Sequence, residues 1–232
     1  MKFNRRLSML AISAAIALSG TSTFADNALD RVMKNGVLKV ATDANWAPQS
    51  FLNDNNEMDG FDVAVAREIA TRLGVEVEFV PTDWKTLVAG VTSGQYHITG
   101  SASVSPARAK ASGYSDSYFS LATVPLTLKT NMERFTDWDD LNMEGVSVAA
   151  TLGTTQETQV KQYFPDATHR IVEAPARDFQ EVLSGRADAS ITSNVEAHKL
   201  VAQYDQLMIV PVDAGRSPTP IAMLLPQADQ VW

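Results

Sequence analysis

Apolar and polar positions alternate along the chain with two distinct periods, and the switches between them mark its elements. Residues 37–41 (VLKVA) are a short apolar run after the turn-forming pair Asn35-Gly36, which predicts a strand. A polar, tryptophan-bearing loop follows, DANWAPQSFLNDNNEMDG. From Phe61 the period changes. Val63, Val65, Ala66, Ile69, Ala70 and Leu73 fall at helical spacing, and Gly74 ends the run. Residues 75–80 (VEVEFV) alternate as a strand, a second helix is expected over 85–93 closed by Gly94, and residues 96–99 predict a third strand. Strand and helix in regular alternation predict a mainly parallel sheet with helices on its faces.

After a strand-like stretch at 121–129 the pattern restarts. Residues 145–150 read as a strand, and 152–158 (LGTTQET) as a glycine turn entering a helix. Residues 171–173 read as a strand, 178–183 as a helix and 187–192 as a strand. In sheets of this kind ligands sit outside the carboxyl ends of the strands, and both repeats place a hydroxyl-rich helix start there.

The first of these starts is Gly100–Lys110, GSASVSPARAK. Ser105 suits an N-cap, Pro106 the first helical position, and Arg108 the first turn. Serine hydroxyls, free N–H groups and a guanidinium then converge on one spot, which is an anion site whose planar fork favours a carboxylate. The second is the Gly153-Thr154-Thr155 turn, whose N–H groups and helix dipole also favour an anion. It lacks the G-x-x-x-x-G-K-[ST] spacing of a phosphate loop, so a nucleotide is not expected. One donor-rich helix start from each repeat predicts a cleft with donors on both walls.

Composition narrows the setting. Lys2, Arg5 and Arg6 precede the largely apolar residues 7–18, and small residues follow, with a cut expected after Ala25: residues 1–25 read as a secretory signal peptide. Without them the formal charge falls from −8 to −11, with 16 basic against 27 acidic residues, a poor balance for nucleic acid. The exported chain has no Cys, so its fold relies on a buried core rather than disulfides. Its three histidines, His97, His169 and His198, are scattered, and neither a metal site nor any other cofactor is expected.

In order and spacing, VLKVATDANWAPQSF, MDGFDVAVAREIATRLGVEVEFV, TDWKTLVAGVTSGQYHIT, SVSPARAKASGYSDSYF, VAATLGTTQET and LSGRADASIT resemble the periplasmic solute-binding proteins of polar amino-acid ABC transporters, and they span most of the mature chain. The resemblance implies a type II, two-lobed α/β binding-protein fold. Lobe one would comprise residues 36–122 plus 213–232, and lobe two residues 127–210. Crossovers near Val124-Pro125-Leu126 and Pro211-Val212 would form a hinge. It implies a periplasmic monomer that closes on a small carboxylate, most simply an amino acid, and delivers it to an ABC permease in the inner membrane. Arg108 would clamp the α-carboxylate, with Thr154, Thr155 and Gln156 as donors from lobe two. Ser101 and Ser103 would hydrogen-bond the ligand, Trp46, Phe51 and Trp84 would form its aromatic walls, and Asp43 would meet its distal end. The family normally continues with a C-terminal helix where this chain reads PQADQVW.

One position departs from the family pattern. Where the amino-acid binders carry an aspartate for the ligand's ammonium, this chain has Ser193, with Glu196 the nearest acid. Glu196 also opens an alternative. Exported cyclohexadienyl (prephenate/arogenate) dehydratases resemble these binding proteins and carry an acid followed by Ala near this place. Glu196-Ala197 would then supply a general acid for a carbon–oxygen lyase. In the transport reading no residue is catalytic.

Overall fold

The computed structural model describes residues 27–227. The expected signal peptide lies outside these residues, as does the expected C-terminal helix start (226–232) except for Pro226, which ends a strand, and Gln227. The chain enters lobe one through α1 (Ala28–Asn35), β1 (Val37–Thr42) and a small antiparallel meander of β2 (Asn45–Trp46), β3 (Ser50–Leu52) and β4 (Met58–Asp59). It continues through α2 (Phe61–Leu73), β5 (Glu76–Pro81), α3 (Leu87–Thr92), β6 (Ile98–Thr99), β7 (Ser101–Ser103), α4 (Pro106–Ala109) and β8 (Ser112–Tyr114). β1 lies between β5 and β6, parallel to both.

Helix α2 shows how local signals agree. Asp62 sits in its first turn and Arg72 in its last, complementing the helix dipole. Gly74 takes the left-handed conformation at φ 70° that closes the final turn. On its buried face Ala66 and Ala70 pack into a core with Val32, Leu38, Val40 and Ile98.

β9 (Phe119–Leu128) leads into lobe two. There β10 (Ser147–Thr151), α5 (Thr155–Tyr163), β11 (Thr168–Val172), α6 (Asp178–Leu183), β12 (Ala189–Ser193), α7 (Asn194–Gln203) and β13 (Leu207–Ile209) repeat the pattern. β10 lies between β11 and β12, parallel to both. The core holds Phe135, Leu141, Val148 and Ile191, with Trp138 stacked on Phe164 at 6.0 Å between ring centres. β14 (Arg216–Pro226) then returns to lobe one, antiparallel to β9 at one end and to β7 and β8 at the other. The β9–β14 pair links the lobes. Residues 124–126 fall inside β9, residues 211–212 lie between β13 and β14, and the mixed α/β architecture is the one the alternating pattern predicts.

The differences have local causes. The loop expected after β1 contains β2–β4, which are two or three residues long and too short for any periodicity to register. β11 begins at Thr168 rather than 171, because exposed Thr168 and Arg170, with half-buried His169 between them, leave no apolar run to detect. β14 is masked in the sequence by Pro218 and Pro220; Pro218 falls where the strand pairs irregularly between Arg216 and Thr219, and Pro220 lies opposite Ser120.

Candidate ligand site between the lobes

Three strand-to-helix junctions that face the cleft are capped by a hydroxyl. Ser105 Oγ accepts the Arg108 N–H at 3.4 Å, Thr154 Oγ1 accepts the Glu157 N–H at 3.3 Å, and Ser193 Oγ accepts the Glu196 N–H at 3.2 Å. These caps fix the first turns and so aim Arg108, Thr155 and Ser193 at a shared cavity. The cavity has a volume of about 40 Å³ and is lined by Trp46, Trp84, Ser103, Arg108, Leu121, Thr154, Thr155, Gln156, Arg177 and Ser193.

Arg108 is 8% exposed, and its Nη1 donates to Ser103 O at 3.2 Å. Its Nη2 donates across the cleft to Gly153 O at 3.1 Å. The guanidinium carbon lies 5.8 Å from the centre of the Trp84 ring, and Trp84 meets Trp46 edge-on at 5.1 Å. No carboxylate among the described residues pairs with Arg108. Burial pulls its pKa down, as expected of a cation held by neutral acceptors. Thr155 Oγ1 reaches Ser103 Oγ at 3.4 Å, a second bond between the lobes. Lys85 and Glu173 form a third bridge at the cleft rim.

Eight of the twelve residues expected at the site therefore line one cavity: Trp46, Trp84, Ser103, Arg108, Thr154, Thr155, Gln156 and Ser193. The other four do not line it, although Asp43 and Ser101 line an adjoining pocket with Trp46 and Trp84. Phe51 is half-buried in β3, paired with Asn45 and Asp59. Ser101 is committed to Asp62: its N–H donates to Oδ2 at 2.9 Å and its Oγ to Oδ1 at 2.5 Å. Asp43 and Glu196 both face Arg177, whose Nη1 donates to Asp43 Oδ2 at 3.2 Å and to Asn45 O at 2.7 Å, and whose Nη2 donates to Glu196 Oε1 at 2.8 Å.

Arg177 itself was not anticipated. It is the residue before α6, the remaining helix start at a strand's carboxyl end in lobe two. Reading every such start as a candidate would have found it. Burial disfavours its charge, but Glu196, Asp43 and Asp178 outweigh burial and raise its pKa. Glu196 also accepts from Thr192 Oγ1 at 2.6 Å, and burial pushes its carboxyl up to about 7 against the opposing pull of Arg177.

The Asp62 pocket makes a separate prediction. Gly100 is needed beside it, because a Cβ there would lie 2.8 Å from Asp62 Oδ2. Burial lifts the Asp62 carboxyl from 3.8 to about 6, although both Ser101 bonds favour the anion. An acid whose pKa rises on folding holds its proton more tightly in the folded state. Its share of stability is complete below pH 3.8 and is lost as pH climbs to about 6. Over that window the unfolding free energy should fall by on the order of 3 kcal/mol from Asp62, with Glu196 extending the fall towards pH 7. Denaturant titrations at a series of pH values test this. Asp62→Asn should remove the lower part of the fall, and an unchanged profile would contradict the assignment.

The largest cavity among those found, about 600 Å³, lies on lobe one and is walled chiefly by apolar side chains such as Leu29, Ile69, Leu73, Met223 and Leu225. It carries no guanidinium, and Tyr114, one of its lining residues, ties it to the start of α4 by accepting the Ser105 N–H at 3.2 Å.

Two α/β lobes joined by paired strands, with opposed donors closing on one cavity, define a solute-binding architecture. The chain belongs to the bacterial extracellular solute-binding proteins, family 3, whose model matches residues 38–208. It is 28% identical to the L-cystine-binding protein of Escherichia coli strain K12 over 213 residues, covering 90% of this chain and 79% of that protein. It is 27% identical to the cyclohexadienyl dehydratase of Pseudomonas aeruginosa over 205 residues, covering 88% and 75%. Among solved structures, an ancestral amino acid-binding protein described as a precursor of cyclohexadienyl dehydratase superposes with a TM-score of 0.80 at 36% identity, covering 87% of this chain and 86% of that one. Holo arginine-binding protein from T. maritima gives 0.80 at 27% identity, covering 86% and 87%. Most of these relatives are binding proteins. No helix among the described residues is long and apolar enough to cross a membrane.

Proposed function

We propose that this protein captures a small carboxylate of amino-acid size between its lobes, in the periplasm, and presents it to an ABC permease. The observation that carries this reading is Arg108, a buried guanidinium on the cavity wall with no carboxylate partner among the described residues. A buried cation is costly unless paired, and a ligand carboxylate bound there gains a bidentate, charge-assisted partner. Thr154, Thr155 and Gln156 add lobe-two contacts, so the ligand itself favours closure. The amino acids named for the relatives set the size class. Small-angle scattering with and without a panel of L-amino acids and their deaminated acids tests the reading. A ligand that shrinks the radius of gyration supports it. A panel that leaves every profile unchanged counts against it.

The dehydratase alternative has one observation in its favour, the raised pKa of Glu196, which keeps a proton available near neutral pH. Its carboxyl, however, faces Arg177 and Thr192, and Glu196 is not among the cavity-lining residues. Direct assay of prephenate conversion to phenylpyruvate tests it.

A further inference from the structure

We infer that the ligand's second polar group is a hydrogen-bond acceptor rather than an ammonium, so that the ligand is a 2-oxo acid rather than the matching amino acid. This narrows the small-carboxylate reading above and rests on it. The cavity wall carries two guanidinium groups, Arg108 and Arg177, with the hydroxyls of Ser103, Thr154, Thr155 and Ser193, the Gln156 amide, whose oxygen accepts from Thr155, and no carboxylate. One guanidinium accounts for the ligand's carboxylate. The second, in lobe two, offers only donors to whatever lies beside it.

The nearby acids do not alter that face. Glu196 Oε1 is held by Arg177 Nη2 at 2.8 Å and Oε2 by Thr192 Oγ1 at 2.6 Å. Asp43 Oδ2 is held by Arg177 Nη1 at 3.2 Å and Oδ1 by the Asn45 N–H at 2.8 Å. Asp178 is buried against Thr151, whose Oγ1 donates to it at 3.0 Å. All three acids are thus engaged by protein donors, although Asp43 lines adjoining pockets that share Trp46, Trp84 and Arg177 with this one. An ammonium drawn to either acid bridged to Arg177 would compete with Arg177 for it and meet a like charge. A carbonyl oxygen accepts from Arg177 or from the Ser193 hydroxyl with those bridges intact. Arg177 also has a buried Nε–H with no partner among the described residues, so its donor capacity is not exhausted by the two acids.

Calorimetric titration with matched pairs tests this on the unaltered protein: pyruvate against L-alanine, 2-oxoglutarate against L-glutamate, and phenylpyruvate against L-phenylalanine. The inference predicts that the binding pair shows at least tenfold tighter binding of the oxo acid. In the double variant R177Q/E196Q, which removes Arg177 together with its more deeply buried ion-pair partner and leaves Asp43 held by the Asn45 N–H, that preference should shrink to within threefold. Tighter binding of the amino acid than of its oxo partner overturns the inference and leaves the carboxylate reading standing, as does a preference unchanged in the double variant. Binding by no member of any pair, nor by the remaining L-amino acids, overturns both.

Discussion

Replacing Arg108 with glutamine should abolish ligand capture while leaving the protein folded. The side chain is buried, touches both lobes through Ser103 O and Gly153 O, and has no carboxylate partner among the described residues. Truncating one partner of a buried, hydrogen-bonded charge pair costs about 2–5 kcal/mol, which corresponds to a loss of roughly 30- to 5,000-fold in affinity. The stability of the ligand-free variant should change little or rise, because an unpaired buried cation is itself a cost. Lysine should recover only part of the binding, since a point charge cannot match the fork of a carboxylate. Calorimetry with any ligand that binds the unaltered protein, together with thermal melts in its absence, checks both halves of this expectation. A variant that binds as tightly as the parent would remove Arg108 from the site.

Gly153→Ala should weaken binding from the other wall. Gly153 has φ +80°, where an L side chain is strained, and its missing Cβ is the reason the lobes approach so closely. A Cβ there would sit 2.4 Å from Lys85 N, 2.5 Å from Lys85 Cα and 2.6 Å from Trp84 C, all backbone atoms of the opposite lobe. Backbone cannot rotate away, so the lobes would have to part by roughly 1 Å to reach ordinary contact. That separation removes the Arg108–Gly153 bond and the Thr155–Ser103 contact. The charge-assisted bond alone is worth about 1.5–3 kcal/mol, a loss of roughly 10- to 150-fold in affinity. Scattering should show that the variant no longer compacts with ligand. Affinity and compaction equal to the parent's would mean that this cross-cleft contact is not made in the bound form.

The carboxylate side of the site was legible in the sequence because it is built from local signals. Ser105-Pro106 and Gly153-Thr154 are helix starts that any reading of caps and turns detects, and each fixes the residue that follows. The parallel units were legible for the same reason, since α2 and its flanking strands change period at Phe61 and Gly74. The other wall was not. Arg177 gains its meaning from Asp43 and Asn45, more than 130 residues earlier in the chain, and from Glu196 on α7. No spacing rule connects them, because only the meeting of the two lobes brings them together. Ser101 was misleading in the complementary way. Strand alternation puts it on the same face as Ser103, yet its N–H and hydroxyl are taken up by buried Asp62.

The most direct test of the central claim is a thermal-shift comparison of the parent and Arg108→Gln, each with the twenty L-amino acids and their 2-oxo acids. A ligand at about one hundred times its Kd adds roughly 2.7 kcal/mol to stability, or about 5 °C or more for a chain of this size. The account predicts that at least one of these carboxylates raises the melting temperature of the parent by that amount and leaves the variant unmoved. An equal rise in both proteins, or no rise in the parent with any of them, would contradict it.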